Sequence, residues 1–515
     1  MAQKFPTIDS THDACCLVLS IPELLENVFI HSDKTSNSVN VQVCKFWFDV
    51  CRPVLWQSLD NKGDSRKLVE TLAPLGLVEE EETFLRMPLA ADWERFQIYS
   101  RLIRSITLEH DIKLQAAFRI ISSMRPVINL FPNLRSLELE PRLYLDDIPV
   151  QPSALFMHSN VTRFVIEVQY ARKTNLWADT ISRMTMLVRL EIKGEYIHED
   201  LLAAVVKSLR CLEIVVLPFL NATAFVIESL WLHPRLQEIR SFGFVDDVFD
   251  DLDIHVPSFP EGAFPVLRTL TIAAWANNFP QFLGQRFFPE NIHGLHLETP
   301  ELDEEDVQAT ILAISKCRDN IEEISLFDIG HGSADFYITF SHLKPLLCCA
   351  KLTTLRLRHR SPLDLTNNDI EQLARSLPQI ERLFLNEDPS PYASHHPAII
   401  PAITMDVLPI LAFHCRCLRS LGIYINATVP STFVPMAITP FGMLDSLHVG
   451  TSWIAGADIE PVALFLAQVL PKRCTIQLPW EDSTTASSHP WFAVNRILPF
   501  FMKMKEIGIQ IGKSL

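Results

Sequence analysis

The chain has 515 residues, enough for one elongated array or for three to four ordinary domains of ~150 residues. With 48% hydrophobic and 21% charged residues it is not a chain disordered throughout, and its net charge of −16 argues against nucleic-acid binding over the whole surface. Only 15 glycines disfavour phosphate-cradling loops, and 11 cysteines in so long a chain read as reduced, buried thiols rather than as a disulfide scaffold.

Residues 1–17 read as a tail. Asp9, Asp13, Glu23 and Glu26 are acidic, and no basic region precedes an apolar run, so no signal peptide is expected. From Ile21 to Phe29 the apolar residues fall at 21, 24, 25, 28 and 29, which is helical spacing, with Pro22 and Glu23 tolerated or favoured in a first turn. The polar stretch from His31 to Asn40 reads as a loop. Val43, Cys44 and Trp47 then share one side of a short helix, Pro53 is expected to break it, and Leu55-Trp56 closes the segment. In this order and spacing, I-P-E-L-L-x-x-V-F, V-C-K-x-W and P-V-L-W-x-x-L resemble the F-box motif over residues 18–60. One departure is that Pro22 abuts Glu23, where a residue more commonly stands between them. The resemblance implies a small three-helix module that docks on the Skp-type linker protein of a cullin-based ubiquitin ligase. The implied linker-binding residues are Pro22, Leu24, Leu25, Val28, Phe29, Val43, Cys44, Trp47, Leu55 and Trp56, some as contacts and some as the module's own core. Read from the residues alone, the segment also suits a helical cap on a repeat array, and the two roles can coexist.

Residues 61–100 join this segment to the remainder of the chain, and their acidic run Glu79 to Glu82 reads as a solvated helix start or loop. From residue 101 to residue 512 the chain repeats an L-x-x-L-x-L pattern. Clear copies are Leu134/Leu137/Leu139, Leu187/Leu190/Ile192, Leu267/Leu270/Ile272, Ile292/Leu295/Leu297 and Ile321/Ile324/Leu326, and the series continues through Leu352/Leu355/Leu357, Ile380/Leu383/Leu385, Leu418/Leu421/Ile423 and Leu444/Leu447/Val449. Weaker copies begin at Ile103, Val161, Leu212, Leu236 and Met504, and the poorest has Arg473 in the first apolar place. From Ile103 to Met504 the mean period is about 29 residues, which resembles leucine-rich repeats, although the usual Asn or Cys after the third apolar place is mostly missing. Each L-x-L core has the alternation of a half-buried strand. Between strands, residues 200–209, 303–315, 369–377 and 461–470 have helical patterning, with Thr366 to Asn368 as N-caps and Pro378 as a stop. The expected fold is therefore α/β: a leucine-rich-repeat solenoid of parallel inner strands and outer helices, preceded by the three-helix segment. The combination looks like the large fungal F-box families.

No nucleotide-binding, nucleophile-elbow or zincin motif is present, so no catalytic residue, metal site or cofactor is expected. His414-Cys415-Arg416-Cys417 is too tightly spaced for zinc and reads as a helix end packed on the next strand. The segments Asp246 to Asp253 and Asn386 to Pro401 read as insertions. The middle residue of each L-x-L core points away from the buried side. Arg356, Arg358, Arg382, Phe384 and Tyr424 combine arginine and aromatic residues on that side and, with the loop from Asn386 to Pro401, form the candidate substrate patch. The resulting expectation is a non-catalytic, substrate-recruiting adaptor, cytoplasmic or nuclear. It would contact a Skp-type linker, a cullin through that linker, and a protein substrate, with no nucleic-acid or membrane partner. The alternative is a repeat scaffold without a ligase role.

Overall fold

A computed structural model describes residues 19–60, 63–78, 81–108, 114–144, 154–169, 179–194, 197–241, 256–317, 320–329, 336–389, 400–428, 439–478 and 489–514. The chain divides into two compact units, one formed by Met1–Lys193 with Ser208–Leu212, the other by Gly194–Lys207 with Glu213–Leu515.

The first unit opens with three helices, α1 (Pro22–Ile30), α2 (Lys34–Asn40) and α3 (Lys45–Trp56). Their core is Leu25, Phe29 and Cys51, flanked by half-buried Leu19, Val41, Trp47, Val50 and Val54. The sequence-based expectation of a loop from His31 to Asn40 is corrected, because α2 occupies most of it. Apolar periodicity is missing there because polar residues do the structural work. Asp33 accepts the Ser36 N–H at 2.9 Å as an N-cap, and the buried Asn37 amide donates to the Phe29 carbonyl at 2.8 Å. Pro53 likewise lies inside α3 instead of ending it. An interior proline costs a helix roughly 3 kcal/mol, and the packing of Trp47, Val50, Cys51 and Val54 around Leu25 and Phe29 opposes that cost.

After α3 comes β1 (Ser58–Leu59), then α4 (Asp64–Glu70), an antiparallel hairpin of β2 (Leu75–Val78) and β3 (Glu81–Phe84), and α5 (Ala90–Ser100). Part of the acidic run is thus strand rather than helix start or loop, with Glu82 paired to Arg66 at 3.2 Å. The repeats follow as β4 (Ser105–Leu108), α6 (Gln115–Met124), β5 (Ser136–Tyr144), β6 (Arg163–Gln169) and β7 (Arg189–Gly194). Strand β1 pairs in parallel with β4, so the sheet begins earlier than the repeat pattern does.

The second unit alternates strands and helices: α7 (Glu199–Ser208), β8 (Ile214–Leu217), α8 (Ala224–Leu230), β9 (Glu238–Ser241), β10 (Thr269–Ala273), α9 (Phe279–Leu283), β11 (Gly294–Thr299), α10 (Glu304–Cys317), β12 (Glu323–Asp328) and α11 (Phe340–Leu343). It continues with β13 (Thr354–Arg358), α12 (Asn367–Ser376), β14 (Arg382–Leu385), α13 (Val407–His414), β15 (Ser420–Ile423), β16 (Ser446–His448), α14 (Ile459–Val469), β17 (Thr475–Gln477) and α15 (Pro490–Ser514). In each unit the parallel strands lie in sequence order, which is the predicted solenoid-like α/β repeat. Helix α12 starts with a reciprocal cap: Thr366 Oγ1 accepts the Asp369 N–H, and the Asp369 carboxylate accepts the Thr366 N–H at 2.9 Å.

Register is what binds the repeats. Leu270, Leu295, Ile324, Leu355, Leu383, Leu421, Leu447 and Ile476 stand opposite one another from β10 to β17, and all are buried. The first unit has its own row of Leu59, Ile106, Leu137 and Phe164. The predicted copy at Met504 is corrected: those residues belong to α15, where Met504 and Ile507 are exposed. Their apolar pattern fits the helix period of 3.6 equally well, and a short motif alone cannot separate the two periods. His414 ends α13 and the buried Cys415 turns the chain toward β15, as expected of a helix end. Among the described residues no group of three or more His, Cys, Asp or Glu could hold a metal ion, and no helix is long and apolar enough to cross a membrane.

A Leu355→Ala substitution removes a fully buried member of the row. It should cost about 2–5 kcal/mol and lower the urea midpoint of the purified chain, whereas the exposed Lys351→Ala should leave the midpoint nearly unchanged.

Candidate functional site

Two surfaces stand out, one in each unit. On α1, a 100° step per residue spreads Ile21, Leu24, Leu25, Val28 and Phe29 over an arc of about 140°, wider than the helix's own core needs. Leu25 and Phe29 are 0% and 1% exposed and fill that core. Ile21, Leu24 and Val28 are 42%, 43% and 46% exposed and form a second stripe. Pro22, Val43 and Cys44 are also exposed, while Trp47, Leu55 and Trp56 are half-buried. Trp47 stands edge-on to Phe29 at 5.4 Å, Trp56 rests on Tyr99 at 4.7 Å, and Cys44 Sγ caps α3. Ile30, Val39 and Phe46 add exposed apolar surface outside the sequence-based selection. Val39 was obscured by the polar stretch that surrounds it.

The segment is anchored within the first unit by Lys34. Its ammonium donates to Asp64 at 2.6 Å, to the Ser58 carbonyl at 2.7 Å and to Asp60 at 3.1 Å.

In the second unit the middle residues of the L-x-L cores form one register row: Thr271, His296, Ser325, Arg356, Phe384, Gly422, His448 and Gln477. Arg356 lies over the Phe384 ring at 4.5 Å, and Phe384 meets His448 edge-on at 5.1 Å. Gly422 lets the ring lie down, because a Cβ there would collide with it. The next segment closes the same way: at Gly450, φ is +49° and a Cβ would strike the Glu387 backbone. Arg382 donates to Glu323 and to Thr354 Oγ1, both at 3.0 Å, and Glu323 also faces Arg240 at 3.5 Å. Burial, with the Arg240, Arg356 and Arg382 charges, pushes the His296 imidazole down to about 3; it accepts or donates toward Ser325 at 2.7 Å. Burial and the Arg356 charge also lower the His448 pKa, so the cations of this face are its arginines.

Of the predicted substrate residues, the structure brings Arg356 and Phe384 into contact. Arg358 is exposed one turn of the pleat away, Arg382 is engaged with Glu323, and Tyr424 is half-buried beside Asp388, whose charge adds to burial in raising its pKa. Phe384 is only 8% exposed, so it supports Arg356 rather than presenting a ring to solvent. Asn386 to Pro389 of the expected insertion are described, while its residues 390–399 and the Asp246–Asp253 run lie outside the described residues.

Sequence reading missed Glu298. It is wholly buried, accepts the Leu220 N–H at 2.9 Å and the Ser241 hydroxyl, and burial pushes its pKa up to about 8. Period-two alternation does place residue 298 on the same side as 296. Its hydrogen-bond partner Leu220, whose φ of +60° is left-handed, was not legible in the sequence.

No protein-family sequence profile matches the chain, and no curated protein matches it. Among solved structures, a chain of the crystal structure of the yeast Rad7 and Elc1 complex aligns with 85% of this chain and 98% of its own, at 15% identity and a TM-score of 0.38.

The buried Glu298 gives a pH prediction. Its folded pKa of about 8 lies above its ordinary 4.5, so the folded state binds the extra proton between those values. The stability it contributes is complete below about 4.5 and is lost as pH rises through 8. Glu298→Gln keeps the acceptor for Leu220 without the charge. It should therefore raise the melting temperature relative to wild type more at pH 8.5 than at pH 5.5, read by thermal melts at both.

Proposed function

We propose that the chain is a substrate-recruiting adaptor of a cullin-based ubiquitin ligase, with residues 18–60 as an F-box that docks a Skp-type linker protein. The observation that carries the reading is the divided apolar arc of α1. One half builds a three-helix core, and the other leaves Ile21, Leu24 and Val28 exposed within the segment that bears the motif. A segment of about 40 residues cannot bury enough surface to be very stable alone, so exposed apolar residues on it suit coverage by a partner. The parallel repeats supply an extended strand face of the kind that holds protein ligands. In this reading the chain does no chemistry of its own. The linker brings the cullin, the repeats bring the substrate, and the site of action is the cytoplasm or nucleus.

A second reading has one observation in its favour. Strand β1 follows α3 directly and pairs with β4, so the three helices also serve as an end-cap for the sheet. A repeat scaffold without a ligase role would need nothing more.

Co-expression of the full chain with a Skp-type linker separates the two. The adaptor reading predicts a complex that survives size exclusion and is lost in Leu24→Asp/Val28→Asp, a variant that leaves Leu25 and Phe29 in place and melts like wild type. A folded wild-type chain that binds no linker leaves the scaffold.

A further inference from the structure

Helix α15 is apolar on two opposite sides. Trp491, Val494 and Leu498 are buried, and at 100° per residue Phe500, Met504 and Ile507 lie about 150° round the helix from them. These three are exposed, Phe500 by 64%. A helix needs only one apolar side to join its own core, so the second stripe is surplus to the fold. Its spacing, four residues and then three, is that of the seam between paired helices. Along one side of the seam runs a cleft of about 440 Å³ between α14 and α15, lined in part by Leu464, Ala467, Phe501 and Met504. Leu464 is itself exposed. Lys505, also on the cleft wall, is occupied: it donates to the Ala467 and Gln468 carbonyls at 3.0 and 3.1 Å.

Two cations flank the seam on its other side. Arg496 and Lys503 are both exposed and stand one heptad apart, and among the described residues neither makes a hydrogen bond or an ion pair. Glu506, one turn on from Lys503, is bound to Lys472 at 3.1 Å, and the other nearby carboxylate, Glu460, is on α14, one turn before Leu464. This end of the second unit therefore sets Lys472, Arg496, Lys503 and Lys505 against Glu460 and Glu506, a local excess of positive charge in a chain of net charge −16. We propose that the seam docks an amphipathic α-helix of a partner protein, one with apolar residues at the same four-and-three spacing and acidic residues beside them. Arg496 and Lys503 occupy the flanking positions whose charges choose the partner in paired helices. A second copy of the chain fits less well. Antiparallel seams would set Arg496 and Lys503 against the same two residues of the other copy, and parallel seams would set Lys503 beside Phe501. An anionic lipid surface would also meet the cations, but it offers no side chains to fill the cleft and would face the acidic remainder of the chain. The inference stands apart from the adaptor reading.

The test uses the full chain and a fluorescein-labelled helical peptide of three Glu-Leu-Ala-Gln-Leu-Glu-Ala heptads, read by anisotropy. The peptide places leucines at the seam spacing and glutamates beside them. It should bind saturably, even though the chain as a whole repels anions. Phe500→Gln/Met504→Gln should lose about tenfold or more in affinity while its melting temperature matches wild type, since both side chains are exposed. Arg496→Glu/Lys503→Glu should weaken the glutamate peptide and leave a peptide with glutamine in place of glutamate unaffected. Failure of the wild-type chain to bind the glutamate peptide would overturn the proposal, as would binding that survives Phe500→Gln/Met504→Gln. Equal affinity for the glutamine peptide would remove the acidic partner from it. Sedimentation of the same preparations reads the second copy: a wild-type dimer that Phe500→Gln/Met504→Gln converts to monomer would make the seam a self-interface and overturn the proposal. Flotation with phosphatidylserine vesicles that is lost in that variant, without peptide binding, would overturn it in favour of a lipid surface.

Discussion

Everything in this protein hangs on parallel register. A repeat of about 29 residues cannot bury its apolar edge by itself, and only neighbours aligned residue for residue turn isolated L-x-L triplets into a continuous core. The row from Leu270 to Ile476 shows the constraint at work, since a slip of one residue in any strand would turn its leucines outward and its polar middle residue inward. The same register sets the second row. Because leucines are held on one side, Arg356, Phe384, Gly422 and His448 are brought together on the other. The surface that could recognise a ligand is thus a by-product of the core.

That coupling explains why the strand architecture was legible in the sequence. The triplets from Ile103 to Arg473 became strands β4 to β17, and α7, α10, α12 and α14 fall where apolar stripes and caps predicted helices. Even the poorest copy, with Arg473 in an apolar place, paired in register through Ile476. Period alone failed where helix and strand patterns coincide, as at Met504 and Ile507 in α15. It also failed where polar residues stabilise a helix through side-chain bonds, as Asp33 and Asn37 do for α2. The start of the sheet at Ser58 was hidden because a two-residue strand carries no periodicity.

The candidate sites were legible in composition but not in arrangement. The α1 residues could be named from the motif, but only packing shows that Leu25 and Phe29 are spent on the core while Leu24 and Val28 remain outside. On the repeat face, alternation identified Arg356 and Phe384. It could not show that Phe384 is the support and Arg356 the presented group, since that depends on Gly422 and on the loop held over Gly450. Glu298 escaped notice because its hydrogen-bond partner Leu220 is far away in sequence and lies in the left-handed backbone region.

The central claim is that the second apolar stripe of α1 is a docking surface. Amide hydrogen exchange of the full chain with and without a Skp-type linker tests it most directly. The account predicts slowed exchange confined to α1 and α3, with the strands from β10 to β17 unchanged. Equal exchange of α1 and α3 in the presence of saturating linker would contradict it and leave the three helices as the cap of a repeat scaffold.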